Sequence, residues 1–206
     1  MNDLKYKNEL FAIIRRYPKR ERGVKYVRDW QNFWNEKKYY IDQIDWSNIK
    51  TALDIGCGIG MTAFMLQQKG IDVEGTDTPE ALENTPVFTD CCNLISLKRH
   101  PLKILNNGTK TIYPKKYDIL IAQRTEFDRE ALQPGEMFDY EFFLENAFEY
   151  FNEVYIKCNH SGKNGPKISA GIGPYWFNPR ITQGLGKPYR AWYLHITKEQ
   201  WLNTLK

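Results

Sequence analysis

The segment Leu53-Asp54-Ile55-Gly56-Cys57-Gly58-Ile59-Gly60 places a glycine-rich turn directly after a short apolar run. Seventeen positions beyond Gly60, the segment Ile71-Asp72-Val73-Glu74-Gly75-Thr76-Asp77 ends on an acid. Bare backbone followed by a carboxylate at the end of the next strand is how nucleotide-containing cofactors are held: glycines admit the ligand against main chain, and the acid takes ribose hydroxyls. Gly56 and Gly58 permit a sharp turn and bring N–H groups close to the ligand, where a side chain would fill its space. Asp77 can accept from both ribose hydroxyls, each a charge-assisted contact worth about 1.5–3 kcal/mol. A nicotinamide dinucleotide site would want GxGxxG, hence glycine at position 61, where this chain has Met61.

Around this motif, Thr51–Ile55 reads as a strand, 61–69 as a helix closed by Gly70 in the left-handed conformation, and 71–76 as the next strand. Thr78-Pro79-Glu80 opens another helix, with proline where its missing N–H costs nothing. Residues 84–99 read as irregular or helical, 102–105 as a third strand, and Asn106-Asn107-Gly108 as a turn. Tyr117–Ala122 is a buried strand, 140–151 a helix with one apolar face, and 153–158 a fifth strand. A loop or hairpin over 159–186 leads to a last strand, 191–196, and a helix capped by Thr197 and running to Leu205. Upstream, 3–16 and 24–40 read as helices broken near Tyr17-Pro18. Strand–helix alternation over 51–158 argues for a mainly parallel sheet covered on both faces. The expectation is one α/β domain over residues 1–206. It comprises a helical extension that could act as a lid (1–48), a cofactor-binding core (49–158) and a C-terminal hairpin and helix (159–206).

At 206 residues, 42% hydrophobic and 15% aromatic, the chain can fill a substantial core. No apolar run approaches the roughly 20 residues of a membrane span. The start Met1-Asn2-Asp3-Leu4-Lys5 lacks the basic-then-apolar order of a signal peptide, so a soluble, cytoplasmic protein without a membrane partner is expected. Cys57, Cys91, Cys92 and Cys158 form no CxxC pair and read as small buried thiols, with no metal site. The net charge of +4 is uneven: residues 1–30 carry nine Lys/Arg against four acids. Such an arm meets phosphates or an acidic substrate, or is simply a solvated helix face.

The stretch Ala52-Leu53-Asp54-Ile55-Gly56-Cys57-Gly58-Ile59-Gly60 resembles the first motif of the class I S-adenosylmethionine-dependent methyltransferases, an acidic residue followed by GxGxG. Asp77 sits where that family keeps its ribose-binding acid, Tyr117–Ala122 resembles its fourth strand, and Tyr140–Cys158 its following helix and fifth strand. The resemblance covers about residues 49–158. It implies a three-layer Rossmann-like methyltransferase fold with a mainly parallel seven-stranded sheet and an antiparallel C-terminal strand. It implies S-adenosylmethionine as cofactor, contacted by Asp54, Gly56, Cys57, Gly58, Gly60, Asp77, Thr78 and Gln123. Asp54 would order the loop or attract the ligand's cationic end. Thr78 or Pro79 would border the adenine, and Ala122-Gln123 would floor the methionine part.

The acceptor is approached by exclusion. The fourth strand continues Ala122-Gln123-Arg124-Thr125-Glu126-Phe127-Asp128, without the Pro-Pro-aromatic motif of the enzymes that methylate exocyclic amines of DNA bases. Neither Cys91 nor Cys92 follows a proline, as the nucleophile of cytosine-C5 enzymes does, and Glu126 with Asp128 is a thin match to a magnesium cluster. The pattern is most similar to small bacterial members of the class, with Arg22-Gly23-Val24-Lys25-Tyr26 ahead of the first strand. Arg22, Lys25 and Tyr26 are candidates for a lid over the cofactor, with Tyr26 also a substrate candidate, or they are the start of a surface helix. Arg124, Glu126 and Asp128 lie at the ligand end of the sheet and are candidate acceptor contacts. His160, after the fifth strand, is a candidate base alongside Glu126 and Asp128, or a loop histidine. His100 and His195 read as packing residues. The tail aromatics Tyr175, Trp176, Phe177, Tyr189, Trp192 and Tyr193 wall an acceptor pocket, stack bases, or pack a final hairpin. The expected activity is methyl transfer to an oxygen or nitrogen of a small-molecule acceptor. The alternatives are an RNA or DNA methyltransferase using the basic arm, and a non-catalytic cofactor-binding protein of the same fold.

Overall fold

Two short apolar runs, Thr51–Ile55 (β1) and Tyr117–Ala122 (β4), lie side by side in parallel at the centre of the sheet, Ala52 opposite Ile119 and Ile55 opposite Ala122. Both are buried on two faces, which is why apolar residues dominate them without alternating, Asp54 and the half-buried Asp118 excepted. The computed structural model describes residues 1–18, 24–105, 108–123, 138–158, 173–177, 180–181, 189–190 and 192–206. β2 (Asp72–Asp77) and β3 (Arg99–Pro101) extend the sheet on one side in parallel, and β5 (Phe151–Cys158) extends it on the other. β9 (Trp192–Thr197) runs antiparallel to β5, and β6 (Trp176–Phe177) pairs antiparallel with β9. The sheet, in the order β3-β2-β1-β4-β5-β9-β6, is seven-stranded and mainly parallel with an antiparallel C-terminal strand, the strand number and sense that the resemblance implied. A separate ribbon pairs β7 (Arg180–Ile181) with β8 (Tyr189–Arg190).

Helices cover both faces. On one lie α1 (Asp3–Ile14), α2 (Val24–Arg28), α3 (Trp30–Ile41), α4 (Met61–Gln68) and α6 (Pro86–Asn93), with α5 (Pro79–Asn84) leading into α6. On the other lie α7 (Tyr140–Ala147) and α8 (Lys198–Thr204). Tyr6, Leu10 and Ile14 recur every four residues along α1, and the Tyr6 ring stacks on Phe64 of α4 at 3.8 Å. Tyr193 of β9 is fully buried and stacks on Tyr40 of α3 at 3.7 Å, so this tail aromatic is a packing residue. Cys57, Cys91 and Cys92 are buried free thiols, as expected. Among the described residues no helix is long and apolar enough to cross a membrane.

Several boundaries differ from the sequence reading, β2 by a one-residue shift from 71–76 to Asp72–Asp77. The expected helix 24–40 is two helices, because Asp29 leaves helical geometry (φ −110°, ψ 24°) and its carbonyl starts α3. The third strand is Arg99–Pro101, not 102–105: Gly75 N–H donates to Lys98 C=O and Leu102 N–H to Asp77 C=O, fixing the register on the earlier residues. Pro101 is tolerated because β3 is an edge strand. The helix expected to reach Phe151 stops at Ala147, since Tyr117 N–H takes the carbonyl of Tyr150 and draws Phe151 into β5 beside Tyr117. The last strand is Trp192–Thr197, one residue on from the expected bounds. Thr197 forms a full capping box with Gln200.

On the α7 face, Glu74 of β2 is a buried hub. Its carboxylate accepts from Tyr117 Oη (2.7 Å) and Lys115 Nζ (3.0 Å) and meets His100 Nε2 at 2.6 Å. Burial pushes this carboxyl up, but hydrogen bonds from Tyr117, Lys115 and His100 overcome it and hold it down at about 2, against the ordinary 4.5. A depressed folded-state value stabilises above the unfolded value, and that stability drains away as pH falls through the folded one. Acid titration monitored by circular dichroism should therefore show stability lost between pH 4.5 and 2. Glu74→Gln should flatten that window by about 3 kcal/mol. An unchanged slope in the variant would contradict the account.

Candidate active site

In the order β3-β2-β1-β4-β5 the chain proceeds outward in one direction from β1 and then restarts at β4, so the crevice beyond the carboxyl ends of β1 and β4 is the ligand position of an open α/β sheet. The glycine turn sits there. Gly56, Gly58 and Gly60 all have positive φ (65°, 54° and 75°), and Cys57 N–H donates to Thr76 C=O at 2.8 Å, tying the turn to β2. The N-terminal helices and α6 grip the turn. Tyr6 Oη donates to Ile59 C=O (3.3 Å), Cys92 Sγ to Gly58 C=O (3.3 Å), and Tyr26 Oη lies 3.3 Å from where a Cβ on Gly58 would stand. Tyr26, a lid candidate from sequence, thus stands over the turn.

Asp77 ends β2 at 7% exposure with its carboxylate turned toward the glycine loop. Oδ1 faces Gly58 N–H at 3.5 Å; Oδ2 takes the Cys57 thiol at 3.3 Å and Arg99 Nη2 at 2.8 Å. The Cys57 thiol fits only because residue 75 is glycine: a Cβ there would lie 2.7 Å from Sγ. Burial pushes the Asp77 carboxyl up, and Arg99 with the Cys57 and Gly58 hydrogen bonds pulls it back only in part. The sequence reading took Asp77 as a lone acid; the structure gives it a buried cation. Arg99 was missed because β3 was placed three residues too late.

Asp54, the last but one residue of β1, is 1% exposed, and its Oδ2 has no hydrogen-bond partner among the described residues. Gln123, just beyond β4, is 4% exposed with neither amide atom partnered among them. Burial raises the Asp54 carboxyl to about 7, with Lys37 and the Ala63 N–H opposing and Asp77 adding to the rise. Lys37 of α3 is buried here too, donating to Thr62 Oγ1 (2.7 Å) and to Gln123 C=O (3.3 Å). Its neighbour Glu36 pairs with Lys157 of β5, both buried. None of these three was singled out from sequence. The available signal was helical spacing: Lys37 follows Trp30, Phe33 and Trp34 on the buried stripe of α3.

The structure therefore brings Asp54, Gly56, Cys57, Gly58, Gly60, Asp77, Gln123 and Tyr26 to one end of the sheet. Gly60 serves as the N-cap of α4, and Thr78 caps α5 through its hydroxyl, which accepts from Ala81 N–H at 3.2 Å. Arg124, Glu126, Asp128 and His160 lie outside the described residues, as do Arg22 and Gly23. His100 and His195 face Glu74 and Glu153, away from this crevice, in keeping with their reading as packing residues.

No protein-family model matches the chain, and no curated protein matches it. Solved structures share its fold loosely. A methyltransferase from Pyrococcus furiosus aligns with a TM-score of 0.49 at 14% identity, over 79% of this chain and 82% of that one. TehB from Haemophilus influenzae aligns at 0.48 and 16%, over 77% of this chain and 60% of that one, so the chain spans about three fifths of that protein. Magnesium protoporphyrin IX methyltransferase from Synechocystis PCC 6803, solved with SAM bound, aligns at 0.48 and 14%, over 83% and 81%. Likeness at this level carries no argument about chemistry, which rests on the residues themselves.

Proposed function

We propose that this chain binds S-adenosylmethionine in the crevice between the Gly56–Gly60 turn, Asp77 and Gln123, and transfers its methyl group to an oxygen or nitrogen of a small-molecule acceptor. One observation carries the reading: Asp54 Oδ2 and the Gln123 amide are buried without hydrogen-bond partners among the described residues, at the carboxyl ends of adjacent strands and beside a turn of bare backbone. Buried unpartnered polar atoms are costly, about 1–3 kcal/mol each, and a ligand with an ammonium and a carboxylate supplies what they lack.

Bound there, the cofactor supplies a methyl group on a positively charged sulfur. The rest is positioning, since holding acceptor and methyl in line at about 3–3.5 Å provides much of the acceleration. Asp77 Oδ1 accepts ribose hydroxyls, and the Gly58 backbone lies against the ligand. Asp54 meets its cationic end. Lys37, reaching the Gln123 carbonyl, keeps a positive charge behind Asp54. Arg124, Glu126, Asp128 and His160 are the proposed acceptor-side residues, with the last three as candidate bases.

Calorimetry with S-adenosylhomocysteine tests the cofactor reading directly. Micromolar or tighter binding is expected, and Asp77→Ala should weaken it by about ten- to a hundredfold. An unchanged affinity in Asp77→Ala, or no binding by the natural chain, would overturn it. The charge of residues 1–30 favours a second reading, a nucleic-acid acceptor. RNA or DNA binding that falls steeply with salt would select that reading over the small molecule.

A further inference from the structure

Arg99 stands in β3 directly beside Gly75, two residues before the partner of Asp77. Its guanidinium runs along the strand direction to the Asp77 carboxylate, and arginine and aspartate side chains are only 7% and 9% exposed. Nη2 donates to Asp77 Oδ2 at 2.8 Å, and Nη1 donates to Thr89 Oγ1 of α6 at 3.1 Å, so the guanidinium plane is fixed from two sides. Nε is buried with no partner among the described residues. A pair kept only for stability would gain from apolar replacement, because burying two charges and stranding a donor both cost free energy. The two oxygens of Asp77 are also used unequally. Oδ2 is occupied by Arg99 and the Cys57 thiol, whereas Oδ1 has only the long 3.5 Å contact to Gly58 N–H among the described residues. One oxygen is clamped and the other is left facing the turn.

We propose that Arg99 is the positioning residue of the ribose site: it keeps the Asp77 carboxylate ionised and rotated so that Oδ1 is presented to the ligand's ribose hydroxyls. This inference rests on the cofactor reading above. The groups around Asp77 are Arg99 from β3, Asp54 from β1, the Cys57 thiol and Gly58 N–H from the turn, and, beyond Cys57, the Cys92 thiol of α6. Arg99 is the single cation among them. Without it, burial favours protonation of Asp77, and a protonated acid is a poorer acceptor for two hydroxyls.

The test uses Arg99→Gln and Arg99→Lys in the full chain, with two readouts. Carboxyl-carbon NMR follows Asp77 ionisation without ligand, and calorimetry follows S-adenosylhomocysteine affinity from pH 6 to 8.5, each as a ratio to the natural protein so that Asp54 cancels. In Arg99→Gln the Asp77 midpoint should rise by about one unit or more, and affinity should fall severalfold more at pH 6 than at pH 8.5. Arg99→Lys should restore most of the affinity at every pH. A pH-independent loss that lysine does not rescue, or an unmoved Asp77 midpoint, overturns the proposal. If the natural protein binds no S-adenosylhomocysteine, the cofactor reading fails, and the ribose role of Arg99 fails with it. An Asp77 midpoint that still moves would then locate the failure in the ligand and not in the hold of Arg99 on Asp77.

Discussion

Gly58→Val is expected to abolish S-adenosylhomocysteine binding, lowering affinity by more than about a hundredfold, while leaving a folded protein. Gly58 holds φ at +54°, a conformation that β-branched residues adopt only under strain. A Cβ there would stand 3.3 Å from the Tyr26 hydroxyl, and the two valine methyls would extend from it into the space kept as bare backbone. Strain of this kind costs about 1–3 kcal/mol, within what a domain of this size can lose. Gly58→Ala, with the same strained φ but without the two γ-methyls, separates backbone strain from occlusion and should bind better than the valine variant. Calorimetry and thermal melts together decide the matter. A folded valine variant within threefold of natural affinity would remove the turn from the binding site.

Lys157→Met should destabilise the fold by about 3–5 kcal/mol, measured by urea unfolding. Lys157 of β5 and Glu36 of α3 are 7% and 2% exposed, and the substitution leaves the Glu36 carboxylate buried without that ammonium. Adding Glu36→Gln to the same chain removes the charge and should recover part of the loss, giving a coupling energy that the cycle of four proteins reports. Single and double variants with additive effects would show that the two side chains act independently. Because total stability is about 5–15 kcal/mol, the single variant would spend a large part of it.

The elements legible in the sequence are those whose determinants are local. β1 and β4 are apolar strings bounded by polar residues, and their observed limits, Thr51–Ile55 and Tyr117–Ala122, are those expected. α4 ends where Gly70, at φ 80°, closes it. β3 was missed because its pairing comes from Gly75 and Asp77 on the neighbouring strand, while 102–105, apolar enough to read as a strand, continues past the end of that pairing. The same holds for the site. The glycine turn and Asp77 announce themselves by spacing. Lys37 reaches across 86 residues to Gln123, and Arg99 across 22 to Asp77, contacts that no periodicity encodes.

The link between Glu36 and Lys157 spans 121 residues, so the N-terminal helices leave the ribosome long before their partner strand exists. At about 5–20 residues per second that interval is roughly 6–24 s. Throughout it Tyr40, which in the finished molecule is buried against Tyr155 and Tyr193, has neither ring to shelter against. Until the fifth strand is made, α3 lacks both Lys157 and Tyr155, so its seating against the sheet is completed only late in synthesis.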